Sequence, residues 1–169
     1  MPAPCALAWF ENPPTPETLA EALAQAASAT AAESEQLLRA LESARSHLET
    51  TARRAFRHAP LGQTTAAFHS ALPDLRPFVL YRLPGLLREA GLYTADELRS
   101  HAAAAPPAWL AREATRQLAI LAAVHATVRR LQTGQLPPAA FPEAIRRAAR
   151  EVAAIRPAPP PPSPQEDPP

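Results

Sequence analysis

Apolar residues recur at alternating spacings of four and three along residues 15–30, which predicts an amphipathic helix. Thr15 precedes Pro16, and a threonine N-cap followed by proline at the first helical position is a favoured way for a helix to begin. The apolar face of this first predicted helix consists of Leu19, Leu23, Ala26 and Thr30.

A second amphipathic helix follows with no glycine or proline between the two. Thr30 and Glu33 have the spacing of a capping box, which predicts a tight corner near residues 28–33; one unbroken helix over residues 16–58 is the competing interpretation. The alternation restarts with an extra residue near position 30, which favours the break. The second apolar face has the spacing of a coiled-coil seam and consists of Leu37, Leu41, Ala44, Leu48, Thr51 and Ala55.

Prolines and glycines divide the middle of the chain into shorter helices. One is expected over residues 64–72, one after Asp74, and one over residues 84–91. Thr94 and Glu97 then form another capping box, with Tyr93 and Leu98 as its hydrophobic staple. The helix that this box begins is expected to end near residue 105.

A long helix is predicted from residues 106–107 to Gly134, and a last helix from about Pro142 to Pro157. The long helix has a broad apolar stripe, which we expect to form the centre of the core: Leu110, Ala114, Leu118, Leu121, Val124, Val128 and Leu131. The last helix has an apolar face made of Ile145, Ala148, Val152 and Ile155.

These elements predict an all-α fold: an irregular bundle of five to seven helices with a long N-terminal helical hairpin or a kinked long helix. A strand over residues 78–81 is rejected, because the chain offers no second strand to pair with it. The helical domain spans residues 15–156, between a Pro-rich arm (1–14) and a Pro-rich tail (157–169) that we expect to be extended and disordered. In the arm, Trp9 and Phe10 either fold back as a clasp on the core or form a partner-binding peptide.

The chain contains 40 alanines, 22 prolines and four glycines, and all 17 basic residues are arginine. Alanine supplies about half of the apolar residues, so the core depends on a limited set of larger side chains. The absence of lysine excludes Schiff-base chemistry, pyridoxal phosphate attachment and a phosphate-loop lysine. This composition indicates a GC-rich genome, bacterial or from a large DNA virus.

The single cysteine, Cys5, cannot form an internal disulfide or a structural zinc site. The start of the chain has no basic region followed by an apolar stretch, so no signal peptide is expected. The longest apolar run, residues 118–124, is far shorter than the roughly 20 residues of a membrane span. We therefore expect a soluble, intracellular, cytoplasmic protein.

No catalytic constellation is evident, and we predict a protein that is not an enzyme and has no cofactor. The five histidines lack the helical spacings of di-iron and zinc sites, and no serine lies in a glycine-flanked nucleophile turn. His125 lies at the edge of the apolar stripe, where a partly buried, hydrogen-bonded histidine is expected.

Charge is distributed unevenly: residues 1–50 carry a net charge of −5, whereas residues 101–156 carry +5. The Arg-rich helices after residue 50 suggest an alternative function, a nucleic-acid-binding regulator. The helix–glycine–helix order of residues 83–99 fits that idea, but Asp96 and Glu97 would repel a phosphate backbone. The candidate polyanion-binding stripe consists of Arg129, Arg130, Arg146, Arg147 and Arg150.

The preferred hypothesis is a non-catalytic helical interaction or assembly protein, an adaptor or structural subunit, that binds a protein partner or a second copy through helical faces. The candidate partner-binding residues are Leu37, Leu41, Leu48, Trp9 and Phe10. We also expect the three leucines to pack against Leu19 and Leu23 and against the long apolar stripe. In the tail, residues 156–162 match the pattern of SH3-domain ligands. This match predicts SH3 binding only if the source is viral or eukaryotic.

Overall fold

The computed structural model describes residues 6–57, 83–101, 103 and 106–159. Within these ranges it contains helices and turns but no strand, which confirms the predicted all-α class. No described helix is both long and apolar enough to cross a membrane. The helices are α1 (Ala6–Glu11), α2 (Pro16–Ala26), α3 (Ala31–Arg57), α4 (Leu83–Glu89), α5 (Ala95–His101), α6 (Pro107–Gln132) and α7 (Phe141–Ala154), with a 3-10 turn over Pro138–Ala140.

Side-chain caps determine where α2 and α3 begin. The Thr15 hydroxyl accepts a hydrogen bond from the Thr18 amide at 3.1 Å, with Pro16 at the first helical position. At the start of α3, the Thr30 amide donates to Glu33 at 2.7 Å and the Glu33 amide donates to the Thr30 hydroxyl at 3.2 Å. The predicted corner is therefore confirmed, and the interpretation of one unbroken helix over residues 16–58 is wrong.

Helix α6 is the centre of the fold and contacts α1, α2, α3 and α7. Six consecutive residues, 117–122, are buried, and six consecutive residues of a helix point in every direction around its axis. A helix buried on all sides must be enclosed by other elements. The predicted stripe is buried from Ala114 to Leu131, whereas Leu110 is half-buried.

Helices α3 and α6 run in the same direction along their shared interface. The Ser34 hydroxyl, near the start of α3, donates to the Pro107 carbonyl at the start of α6 at 2.8 Å. Further along both helices, the ring centroids of His47 and His125 lie 6.2 Å apart. Parallel neighbours need a connection that returns over the length of the helices, and residues 58–106 provide it.

The predicted hairpin between the first two long segments is wrong, because α2 lies against α6 instead of along α3. The buried face of α2 is the predicted one, with Leu19, Leu23 and Ala26. The apolar stripe of α3 is wider than predicted, since Leu38 and Ala52 are buried beside the seam residues. Both helices thus bury their apolar faces against α6.

Two glycines end helices in Schellman motifs. At the end of α4, the Leu92 amide donates to the Leu87 carbonyl at 2.9 Å and the Gly91 amide donates to the Arg88 carbonyl at 3.0 Å. Gly91 has a φ of 86°, in the left-handed region that glycine favours. Gly134, with a φ of 76°, ends α6 through the corresponding bonds of residues 134 and 135. These turns confirm both predicted stops.

The α5 capping box is confirmed, but its predicted staple is not. The Glu97 amide donates to the Thr94 hydroxyl at 3.1 Å, and the Thr94 amide donates to Glu97 at 3.0 Å. Leu98 is buried, whereas the Tyr93 ring is exposed and contacts the His101 ring edge-on at 5.7 Å. Helix α5 ends at His101, earlier than the predicted residue 105.

Arg99 joins α5 to α3 through ion pairs. Its guanidinium lies 2.6 Å from Glu35 and 3.4 Å from Glu42, both on α3, and 2.9 Å from Asp96. The hydrogen bond from Arg99 holds the pKa of the Glu35 carboxyl below its ordinary value. This network fixes the short helix α5, whose apolar contact with the core is small.

The segment after α7 lies against the helical domain. Residues 155–159 are irregular, and the Ala158 amide donates to the Ala20 carbonyl of α2 at 2.9 Å. The expectation of a free tail from residue 157 is therefore corrected for residues 157–159. Cys5, the predicted elements between residues 58 and 82 and the tail from residue 160 lie outside the described residues.

We predict that Leu41→Ala lowers the free energy of unfolding by about 2–5 kcal/mol, because Leu41 is 1% exposed and belongs to the main core cluster. Urea denaturation followed by circular dichroism measures this change. Arg146→Ala, at an exposed position, is the control and should unfold like the wild type. Wild-type stability of the Leu41→Ala variant would contradict its place in the core.

A pair of glycine substitutions should change stability in opposite directions. Gly85 lies inside α4 with nothing within 4 Å of an added Cβ, so Gly85→Ala should stabilise the protein by roughly 0.5–1 kcal/mol. Gly91→Ala meets no neighbour either, but its positive φ should cost about 1 kcal/mol. Thermal unfolding of both variants tests the assignment, and stabilisation by Gly91→Ala would contradict it.

Candidate functional site

Helix α7 folds back on α6 and presents a basic surface on its outer side. Its inner face is buried against the core through Phe141, Ile145 and Ala149. The helical repeat places Arg146, Arg147 and Arg150 on the exposed side. The apolar spacing of α7 therefore determines which way its arginines face.

A cleft of about 380 Å³ lies between α6 and α7. Arg130 from α6 and Arg147 from α7 line it, together with Glu143 and Glu151. The remaining lining is mostly apolar or small: Thr127, Leu136, Ala140, Ala144 and Ala148. Two guanidinium groups beside small apolar side chains suit an anionic group carried on an apolar segment.

The arginines around this cleft differ in their partners. Arg150 lies 2.6 Å from Glu143, and Arg146 lies 3.6 Å from Glu89 of α4 and 3.9 Å from Glu143. Among the described residues, Arg130 and Arg147 have no ion-pair partner. Of the arginines that α7 and the end of α6 bring to this cleft, Arg130 and Arg147 are therefore the two that line it without sharing their charge with a carboxylate.

The structure divides the predicted polyanion-binding stripe into three parts. Arg130 and Arg147 line the cleft, Arg146 and Arg150 are held by carboxylates, and Arg129 acts on the imidazole of His125 instead of lining the cleft. The prediction of one stripe is corrected, because consecutive helical residues such as 129 and 130 point about 100° apart.

The sequence reasoning missed Thr127, Leu136, Glu143 and Glu151 as cleft residues. Thr127 and Glu143 carry the helical spacing that would place them beside Arg130 and Arg147, three or four residues away on the same helix face. Leu136 follows the glycine turn, and its position depends on how that turn returns the chain. No local pattern indicates it.

Three aromatic rings meet where α1 contacts α3 and α6. The Phe10 ring stacks on His125, with centroids 4.6 Å apart and planes 5° apart, and its centroid lies 5.6 Å from that of His47. The Nδ1 atom of His125 is buried and has no hydrogen-bond partner among the described residues. His125 was predicted to be partly buried and hydrogen-bonded; it is buried, but this nitrogen is unpaired.

All five predicted partner-binding residues lie in the interior. Trp9 and Phe10 are 9% and 6% exposed, which supports the clasp over the free peptide. Leu37, Leu41 and Leu48 are at most 7% exposed and belong to the same core cluster as the α6 stripe. Their proposed role as a docking face is corrected, because α6 already covers the α3 seam.

Among the described residues, no group of three or more His, Cys, Asp or Glu side chains could hold a metal ion. Comparison with protein-family models, with curated proteins and with solved structures finds no match to this chain. The geometry of the described residues is thus the basis for proposing a function.

We predict that the His125 imidazole titrates below its ordinary pKa of 6.5, because burial, then the nearby charges of Arg129 and His47, oppose its protonation. The Phe10 carbonyl acts in the opposite direction but does not outweigh them. NMR titration of the imidazole resonances measures this pKa.

The same shift gives the stability a pH dependence with a defined sign. Below pH 6.5 the unfolded chain binds a proton that the folded His125 binds less readily, so the free energy of unfolding falls as pH falls from 6.5 towards the folded-state pKa. Urea denaturation across this range should show a smaller decrease for His125→Phe. An equal decrease in both proteins would contradict the assignment.

Proposed function

We propose that this protein is a non-catalytic helical interaction protein that binds an acidic segment of a protein partner in the cleft between α6 and α7. The observation that carries the proposal is the pair of arginines without ion-pair partners, Arg130 and Arg147, on the two walls of that cleft. Buried seam leucines leave this cleft as the better docking candidate.

The chemistry of arginine supports a carboxylate ligand. A guanidinium presents a planar set of donors that matches a carboxylate in a bidentate geometry, and it stays charged at every physiological pH. Hydrogen bonds between ionised partners are roughly twice as strong as neutral ones. Two such groups on opposite walls would hold neighbouring acidic side chains of one short segment.

The cleft floor supports a segment that also carries apolar side chains. Leu136, Ala140, Ala144 and Ala148 give the cleft an apolar lining between the two arginines. Contact with such a lining adds binding free energy in proportion to the apolar area covered. A peptide that alternates acidic and apolar residues therefore complements the cleft better than a purely charged polymer.

Nucleic acid, the alternative ligand, fits the cleft less well. Glu143 and Glu151 lie on its lining and would repel a continuous phosphate backbone. Arg129 is also separated from Arg130 and Arg147, so these described arginines do not form the continuous basic track that follows a nucleic-acid strand. Protein is therefore the proposed partner, and the experiment also measures binding of nucleic acid for comparison.

The test measures fluorescence anisotropy of a short fluorescein-labelled peptide in which glutamate alternates with leucine. We expect Arg130→Gln combined with Arg147→Gln to weaken binding by about tenfold or more, since each substitution removes a charge-assisted hydrogen bond. Glu151→Gln removes a negative charge from the cleft and should strengthen binding.

The matched control combines Arg112→Gln with Arg129→Gln, which removes the same charge from two exposed positions that do not line the cleft. Near wild-type affinity of this control supports a specific cleft. If both double variants lose peptide affinity equally, the loss reflects net charge alone and the proposal is overturned. Tighter binding of labelled duplex DNA than of the peptide would favour the nucleic-acid-binding regulator instead.

A further inference from the structure

Helix α1 has few means of staying in place by itself. It contains six residues, and a helix of that length is not stable in water without tertiary contacts. Its contacts are with α6 and α3, and residues 12–15, which include two prolines, connect it to α2. The contacts of Trp9 and Phe10 with α3 and α6 are therefore the main means by which α1 is held in place.

The contact that anchors α1 contains two titratable rings. Phe10 is 6% exposed and lies against His125 of α6 and His47 of α3. The imidazole of His125 is itself buried, and its Nδ1 atom has no hydrogen-bond partner among the described residues. No described acceptor has hydrogen-bond geometry at that nitrogen, and the Phe10 carbonyl favours the protonated ring less than the other influences oppose it.

The charged surroundings of His125 oppose that proton. Arg129 of α6 is one turn further along the helix, and His47 of α3 is the titratable group on the opposite side; α1 contributes the Phe10 carbonyl, which favours the proton. The ring face of Phe10 also attracts a cation. The influences that lower the pKa of His125 outweigh those that raise it, and the largest is the loss of hydration on burial.

We infer that α1 is an acid-releasable arm: protonation of His125 in mildly acidic solution detaches Trp9 and Phe10 from α3 and α6 while the other helices stay folded. When α1 is released, water can hydrate the His125 imidazolium, including its Nδ1–H. In the closed structure α1 keeps water away from this ring. Release also presents two large aromatic side chains that the closed structure buries.

The experiment is hydrogen exchange with mass spectrometry from about pH 7.5 to about pH 5, with protection corrected for intrinsic exchange at each pH. We expect protection of the α1 amides to fall by about tenfold or more across this range, while the α6 amides stay protected. In a Trp109→Phe background Trp9 is the remaining tryptophan, and its emission should shift to the red over the same range.

Variants distinguish this arm from general acid unfolding. His125→Phe keeps an aromatic ring against Phe10 but cannot be protonated, so α1 should stay protected at the lower pH. Arg129→Gln, at an exposed position, removes one opposing charge and should reduce the extent of release without affecting the fold. His101→Phe, at an exposed position on α5, is the control and should behave like the wild type.

Three results would overturn the inference. They are unchanged α1 protection in the wild type at the lower pH, release that persists in His125→Phe, and loss of α6 protection in parallel with α1. Peptide binding at the cleft between α6 and α7 is a separate measurement, so failure of the arm and failure of the proposed function are distinguishable.

Discussion

The all-round burial of α6 is the constraint on which the rest of this fold depends. The middle turns of this helix, residues 117–122, are buried in every direction, so other helices must cover them with their apolar sides. Alanine makes this possible, since small side chains at Ala111, Ala114, Ala119 and Ala122 let neighbouring helices approach closely. Four other helices pack on α6 in this way.

Polar groups on α6 are accommodated largely within the helix. The buried Thr115 and Thr127 hydroxyls donate to carbonyls four residues earlier, at 2.7 and 2.9 Å, so neither needs a partner on another helix. Gln117 instead accepts from the Tyr93 amide at 3.1 Å and so connects α6 to the start of α5. Three buried nitrogens on α6, those of Arg116 Nε, Gln117 Nε2 and His125 Nδ1, have no hydrogen-bond partner among the described residues, and that of His125 lies where α1 contacts α6.

Features that depend on neighbouring residues could be predicted from the sequence. The boxes at Thr30 and Thr94 and the glycine stop at Gly91 require only groups within a few positions, so the residue types suffice. The choice of neighbour for α2 could not be predicted, because Leu19 and Leu23 fit any large apolar surface. Likewise, the sequence indicates the basic residues of the site, but which α7 arginine meets Arg130 in the cleft depends on how α7 is rotated against α6.

The late position of α6 in the chain has a consequence for biosynthesis. Helices α1, α2 and α3 leave the ribosome before the helix on which all three bury their apolar faces. Until residue 132 has emerged, the leucines of α2 and α3 have no core to enter, and local pairing cannot replace it because the two helices do not lie along each other. Until α6 has emerged, this part of the nascent protein is therefore a string of amphipathic segments, a state that favours chaperone binding and exposes the chain to aggregation.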